Sequence, residues 1–231
     1  MDADIPGKPL QIIGLKRTGT TYLAAILRQL SFIKHVYREP YWKKDINNLI
    51  INKNTLIKTL YDHQSEYKIK YLYDDFYNIC VIREDIFETC LSLAVCRARG
   101  FFHTEIIYTK MHNINMLEFK KILDYYYEWY NRFLDDILDR KLKINKLISY
   151  EDLTFDNIRD IEALGFSVTQ LKPLILNTKK SLPKNKNIQN LNTLRKIFEE
   201  KDFTHVYQKI KSIKGLQYDM STSVDTLDDR Q

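Results

Sequence analysis

Leu10-Gln11-Ile12-Ile13-Gly14-Leu15 runs into Lys16-Arg17-Thr18-Gly19-Thr20-Thr21 and then into Tyr22-Leu23-Ala24-Ala25-Ile26-Leu27. The first block is a short apolar run of the length and flanks of a buried strand. The second is polar and contains a glycine, so it reads as a loop. In the third, Tyr22, Leu23, Ile26, Leu27 and then Leu30 fall on one side of a helix. The chain therefore opens as strand, glycine-bearing loop and helix. The first-turn N–H groups of such a helix have no partner within it, and the helix dipole favours negative charge in front of them. Gly19 lets the backbone approach a ligand closely, and Thr20 and Thr21 add hydroxyl donors. An anion suits this turn; a tight strand-to-helix turn with no ligand is the plainer alternative.

Outward from this unit the alternation continues. Thr55 to Leu60 is a second strand candidate, and Tyr77 to Ile82 a third and the clearest. Ile86, Phe87, Cys90, Leu91 and Ala94 form the apolar side of a helix after it. Asn113 to Arg140 carries Ile122, Tyr126, Trp129, Phe133 and Ile137 at three- and four-residue steps, a long helix with room for one break. Ile144 to Tyr150 is another strand. Helices are expected at about Phe155 to Leu164, stopped by Gly165, and at about Leu191 to Glu200. Strands alternating with helices predict an α/β fold, a P-loop-like three-layer α/β/α domain around a mostly parallel sheet of about five strands. One domain over residues 1–216 is expected, with a disordered tail over 217–231. The polar stretch Lys179 to Asn192 reads as a loop or a segment that orders on a ligand.

The net charge is +6, and the last fifteen residues hold Asp219, Asp225, Asp228 and Asp229 against Arg230, so the body is more basic than the total. Such a body suits anionic partners: a nucleotide, nucleic acid or an acidic glycan. A lysine-rich solvated surface gives the same count. Cys80, Cys90 and Cys96 are odd in number and lack paired spacing, which argues against a disulfide framework. No CxxC pair or histidine cluster has zinc spacing, and His103 and His112 are isolated. Asp2 and Asp4 sit where a secretory leader carries positive charge, and no run approaches the roughly 20 apolar residues of a membrane span. The expectation is a cytoplasmic, reduced, metal-free protein.

Gly14 and Gly19 have the separation of the nucleoside-triphosphate loop G-x-x-x-x-G-K-[ST], but Thr20 stands where that loop has its lysine. The cations lie before the second glycine, as Lys16 and Arg17. That placement fits one compact anionic group better than a triphosphate and argues against an ordinary kinase or NTPase.

In Ile79-Cys80-Val81-Ile82-Arg83-Glu84-Asp85 an apolar strand delivers an arginine to its C-terminal end, where open parallel sheets bind ligands. Arg83 can grip a phosphate bidentately, with the hydroxyl of Ser92 on the next helix beside it. A salt bridge from Arg83 to Glu84 or Asp85 is the alternative.

The segment Gly14 to Leu23 resembles the 5′-phosphosulfate loop of the sulfotransferases that use 3′-phosphoadenosine 5′-phosphosulfate (PAPS), which reads [KR]-[ST]-G-T-T followed by an aromatic or apolar residue. Arg17 falls on the position that is lysine in cytosolic members and arginine in the tyrosylprotein and some bacterial carbohydrate branches. Ile79 to Ser92 resembles the family's 3′-phosphate motif, although its serine often follows the arginine by eight residues, where this chain has Leu91 and places Ser92 one later. One residue turns a helical side chain by about 100°, so Ser92 reaches only if the helix starts differently. Leu147-Ile148-Ser149-Tyr150-Glu151-Asp152-Leu153 resembles the Tyr-Glu-Asp-Leu segment. This makes Tyr150 a nucleotide contact and leaves Glu151 and Asp152 to cap or brace the following helix. Ile57-Lys58-Thr59 resembles Lys-Thr-His, with Leu60 in place of the histidine. Tyr37-Arg38-Glu39-Pro40-Tyr41-Trp42 resembles the Glu-Pro segment of carbohydrate sulfotransferases.

The resemblance covers roughly residues 10 to 155. It implies sulfuryl transfer from PAPS, with PAP as the product, to a hydroxyl acceptor. Arg17 and Lys58 would offset charge, and Glu39 would serve as general base, with a salt bridge to Arg38 as the plainer role for Glu39 and His35 as the rival base. Lys16, Arg17, Thr18, Gly19, Thr20, Thr21, Arg83, Ser92 and Tyr150 would bind the nucleotide. The stretch with Lys179-Lys180-Ser181 and Lys184-Asn185-Lys186 is a weak match to the family's late basic loop, which closes over the 3′-phosphate; a solvated loop is the favoured reading. The acceptor is a small molecule or a glycan, and Phe101, Phe102 and the aromatics of the long helix are candidates to line its pocket. Rival readings are a P-loop kinase or NTPase, a nucleic-acid-binding module using the basic body and sixteen tyrosines, and a catalytically silent nucleotide binder. No RNA-binding signature accompanies the tyrosines, and membrane association is not expected. Oligomeric state is not readable from the chain.

Overall fold

A computed structural model describes residues 7–39, 49–63, 76–100, 111–153 and 188–222. Their order is β1 (Leu10–Gly14), α1 (Thr20–Leu27), β2 (His35–Arg38), β3 (Thr55–Leu60), β4 (Tyr77–Ile82), α2 (Ile86–Arg99), α3 (Met116–Leu138), β5 (Lys146–Ser149), α4 (Leu191–Glu199) and α5 (Thr204–Thr222). The five strands form one sheet in the order β2-β3-β1-β4-β5, and every pairing is parallel. Helices cover both faces. This is the expected three-layer α/β arrangement.

β1 is the centre of the sheet, and β1, β3 and β4 are buried on both faces or nearly so. This is why their sequences are near-continuous apolar runs rather than alternating ones. Successive residues still face opposite layers. Leu10, Ile12, Ile79 and Val81 pack with Leu23, Ile26 and Leu27 of α1. Ile13, Cys80 and Ile82 pack with α2, α3, α4 and α5. The long helix α3 is continuous and sets Phe119, Ile122, Tyr126, Tyr130 and Phe133 into that second layer. Each such fully buried side chain contributes about 1.5–3 kcal/mol of hydrophobic stabilisation.

The helix ends follow from local chemistry. Asp85 caps α2 by accepting from Glu88 N at 2.8 Å, and Gly100 closes it at φ 70°. Asn115 caps α3 by accepting from Glu118 N at 3.0 Å.

Two elements escape the hydrophobic pattern. β2 is an edge strand whose residues alternate between half-buried and exposed, and four polar-leaning residues are too few to register. α5 continues through Thr222, beyond residue 216, where the chain pattern places the end of the domain. Several expected features lie outside the described residues: the Pro40-Tyr41-Trp42 part of the Glu-Pro segment, Phe101, Phe102 and His103, the helix over 155–164, and the basic loop up to residue 187.

Candidate functional site

The chain goes from central β1 to β2 and β3 on one side, then crosses to β4 and β5 on the other. Loops that leave β1 and its two neighbours therefore diverge at the C-terminal edge, where the strand order reverses and open parallel sheets take ligands. The residues expected to hold an anion gather there.

The loop after β1 folds tightly back over the strand end. A Cβ on Gly14 would stand 2.5 Å from Val81 O and 2.8 Å from the Thr18 hydroxyl, so only glycine fits. Thr18 is fully buried, and its hydroxyl donates to Leu15 O at 2.8 Å. Its side chain closes the loop rather than facing a ligand. Thr20 is also buried, with its methyl directed at Gly14. Arg17 takes a left-handed backbone at φ 63° and Gly19 one at φ 95°. For a non-glycine residue that conformation costs about 1–2 kcal/mol. Gly19 gives α1 no side-chain cap, and the first turn of α1 carries no acidic residue. By contrast, α2 begins with Asp85 as its cap and Glu88 in its first turn. An anion is therefore favoured at α1 and disfavoured at α2.

The two arginines meet. Arg17 Nε donates to Ser92 Oγ at 2.9 Å, and Arg83 Nη1 lies 3.5 Å from Arg17 O. Ser92 thus reaches the site, and it reaches the guanidinium of the first loop. Leu91, one residue earlier, is buried in the core against α3. Arg83 is 9% exposed and stands over the ring of Tyr150, 4.6 Å from its centroid. Its Nε has no hydrogen-bond partner among the described residues, and the nearest carboxylate oxygen, Glu151 Oε1, is 3.9 Å away. A buried N–H donor without a partner is costly and invites an acceptor. The alternative of a salt bridge to Glu84 or Asp85 is not what forms. Glu84 instead accepts from Lys214 and Ser149, and Asp85 caps α2.

Glu151 departs from its expected role. It accepts from the backbone N–H groups of Glu84 at 3.0 Å and Asp85 at 3.1 Å, so it braces the preceding β4–α2 junction. Tyr150 lies against Gly19 as well as Arg83: a Cβ on Gly19 would be 2.3 Å from its ring. The tyrosine thus covers one side of the loop, while Lys16, Arg17, Gly19 and Thr21 keep partial exposure.

Glu39, just past β2, and Lys58, within β3 opposite Arg38, form a second group. Lys58 Nζ donates to Glu39 Oε1, and Glu39 N donates to Lys58 O at 2.8 Å. Glu39 therefore pairs with Lys58, and the bridge to Arg38 is not the one that forms. Its backbone is left-handed at φ 49°, a strained state held by its neighbours and typical of functional positions. Burial pushes the Lys58 ammonium below the ordinary lysine range, and the nearby carboxylates of Glu39 and Asp62 oppose that fall. His35 does not share this position. It pairs with Thr55 at the start of β3, three residues and so about 10 Å along the strand from Arg38. That places it at the opposite edge of the sheet, and the rival base is lost.

Asp62 and His63, just past β3, join the site without a mark in the chain pattern. Asp62 is fully buried; it pairs with Lys16 at 2.9 Å and accepts from the Tyr125 hydroxyl. His63 Nε2 lies 3.9 Å from the same carboxylate. The available signal was an Asp-His pair at the ligand end of a parallel strand, overshadowed by the missing histidine at Leu60.

Among the described residues, no group of three or more His, Cys, Asp or Glu side chains is arranged to hold a metal, and no helix is long and apolar enough to cross a membrane. No family model matches the chain, and no curated protein or solved structure matches it.

Proposed function

We propose that this chain is a sulfotransferase that moves a sulfuryl group from PAPS to a hydroxyl on a small molecule or glycan. The observation that carries this reading is the contact of the Arg83 guanidinium with the backbone carbonyl of Arg17, 3.5 Å apart, at one end of the central strands. A loop that carries Lys16 and Arg17, held beside the side chain of Arg83, suits a ligand with two separate anionic ends. Arg83 Nε, which has no hydrogen-bond partner among the described residues, and the uncapped, acid-free start of α1 fit the same ligand.

PAPS supplies the sulfuryl group and departs as PAP. Lys16, Arg17 and the backbone over residues 19–21 would hold the 5′ end, and Arg83 the 3′-phosphate. Ser92 acts through Arg17, whose guanidinium it orients. Lys58 offsets negative charge near the reacting group and fixes the direction of the Glu39 carboxylate. Glu39 takes the proton of the acceptor hydroxyl, a contribution of about 10²- to 10⁴-fold for general bases. Tyr150, stacked on Arg83, would be the nucleotide contact beside it.

Calorimetry with PAP against ATP tests the donor class. Binding of PAP in preference to ATP supports the reading, and the reverse preference favours a kinase or NTPase, which the threonine at position 20 argues against. An acceptor screen with labelled PAPS then separates an enzyme from a silent nucleotide binder.

A further inference from the structure

The long helix α3 touches the site from the core side through three hydroxyls. Tyr125 donates to Asp62, which holds Lys16. Tyr126 donates to Lys16 O at 3.0 Å. Tyr130 donates to Arg83 O at 2.9 Å. Tyr126 and Tyr130 are four residues apart on one helix face, with ring centroids 6.0 Å apart, and both are fully buried. Burial first of all pushes both phenols far above the ordinary tyrosine range, so they stay protonated and remain donors.

The carbonyls they grip belong to Lys16, adjacent to Arg17, and to Arg83 itself. These carbonyls lie beyond the ends of β1 and β4, whose paired register runs from Leu10 to Gly14 and from Tyr77 to Val81. The ladder therefore does not set how far apart the two loops stand. A helix packed against α2 and α5 is a stiff ruler for that distance.

We propose that Tyr126 and Tyr130 are positioning residues that fix the separation of the Arg17 and Arg83 loops, making the site selective for a nucleotide with two anionic groups over one with a single group. This rests on the proposed function and deepens it. Neither phenol touches the ligand; each acts through a loop carbonyl.

The test compares PAP with AMP, which lacks the 3′-phosphate, by calorimetry on the whole chain and on Tyr126→Phe and Tyr130→Phe. Each substitution removes one hydroxyl and keeps the ring. We expect PAP affinity to fall about five-fold in each variant, the worth of one neutral hydrogen bond, and AMP affinity to stay within about two-fold. The AMP arm reports that the variant is folded. If both variants keep the wild-type ratio of PAP to AMP affinity, the spacing role is overturned while the proposed function stands. If both lose AMP and PAP affinity alike, the phenols merely support the fold and the spacing role is overturned too. If the unaltered chain does not prefer PAP over AMP, the proposed function fails first and the inference falls with it.

Discussion

Arg17 and Ser92 are joined by a hydrogen bond of 2.9 Å from the guanidinium Nε to the hydroxyl, and it ties the loop after β1 to the middle of α2. Ser92 is 2% exposed, so the hydroxyl end of the bond is shielded from water. It fixes the direction in which the guanidinium points.

Removing that hydroxyl should loosen the arginine without removing its charge. Ser92→Ala is expected to weaken PAP binding by about 1.5–3 kcal/mol, the range for hydrogen bonds to charged groups. Arg17→Ala should abolish transfer, and Arg83→Ala should chiefly weaken PAP and PAPS binding. Titration calorimetry and a labelled-PAPS assay read these effects separately. Full activity in both arginine variants would move the site elsewhere.

Two glycines should fail for different reasons. Gly14→Ala drives a Cβ to 2.5 Å from the backbone oxygen of Val81, which cannot yield without distorting the sheet. Gly19→Ala meets the Tyr150 ring at 2.3 Å and also forces φ 95° on a residue with a Cβ. The strained backbone alone costs about 1–2 kcal/mol. In a Tyr150→Ala background the Gly19→Ala loss should shrink towards that value, whereas Gly14→Ala should be equally damaging in both backgrounds. Urea unfolding of the four combinations decides it; an unrescued Gly19→Ala would mean that the tyrosine ring is not the obstacle.

How much of this was readable from the residues depends on the range of the interaction. β1, β3 and β4 announce themselves because strands buried on both faces must be apolar throughout, and Thr55–Leu60 and Tyr77–Ile82 form at the expected bounds. β2 does not, because an edge strand of four residues has no such demand. Within the site, Gly14, Arg17 and Arg83 are marked by where they stand along the chain. The partners Asp62, Tyr125, Tyr126 and Tyr130 are not, since Lys16 and Tyr126 are separated by 110 positions. Tyrosines at helical spacing read as core, and Tyr126 and Tyr130 are core; their hydroxyls gain a second role only through tertiary packing. Thr18 shows the converse, because a residue inside the motif spends its hydroxyl on Leu15.

Acid should loosen the β4–α2 junction through Glu84. Burial raises this carboxyl, but hydrogen bonds from Lys214 and Ser149 outweigh it and hold Glu84 below the ordinary glutamate range. A depressed carboxyl stabilises the fold above its unfolded value, about 4.3, and loses that contribution as the pH falls through its folded value. Lys214→Met removes the stronger partner. The variant should therefore differ most from wild type above about pH 5 and converge with it in more acid solution. Chemical denaturation at a series of pH values checks this, and a constant difference across the series would dissociate Glu84 from Lys214.

The Glu39–Lys58 pair should couple stability and turnover in opposite ways. Glu39→Gln is expected to leave PAP affinity nearly intact and to slow turnover by about 10²-fold or more, as loss of a general base does. Unchanged turnover would place the base elsewhere, with Asp62 the next carboxylate along the sheet edge. For stability, Lys58→Met removes a buried cation but strands its partner carboxylate, while the double variant removes both charges. Breaking one side of such a pair costs more than replacing both, so a double-mutant cycle should return a coupling of about 0.5–3 kcal/mol. The pH dependence has a definite sign. Because the folded chain binds the Lys58 proton less tightly than the unfolded chain, stability rises with pH between the depressed folded value and the ordinary lysine value of about 10.4. Wild type should gain on Lys58→Met as the solution is made alkaline within that window. If the gap instead stays flat to the upper end of the window, burial does not govern the ammonium at position 58.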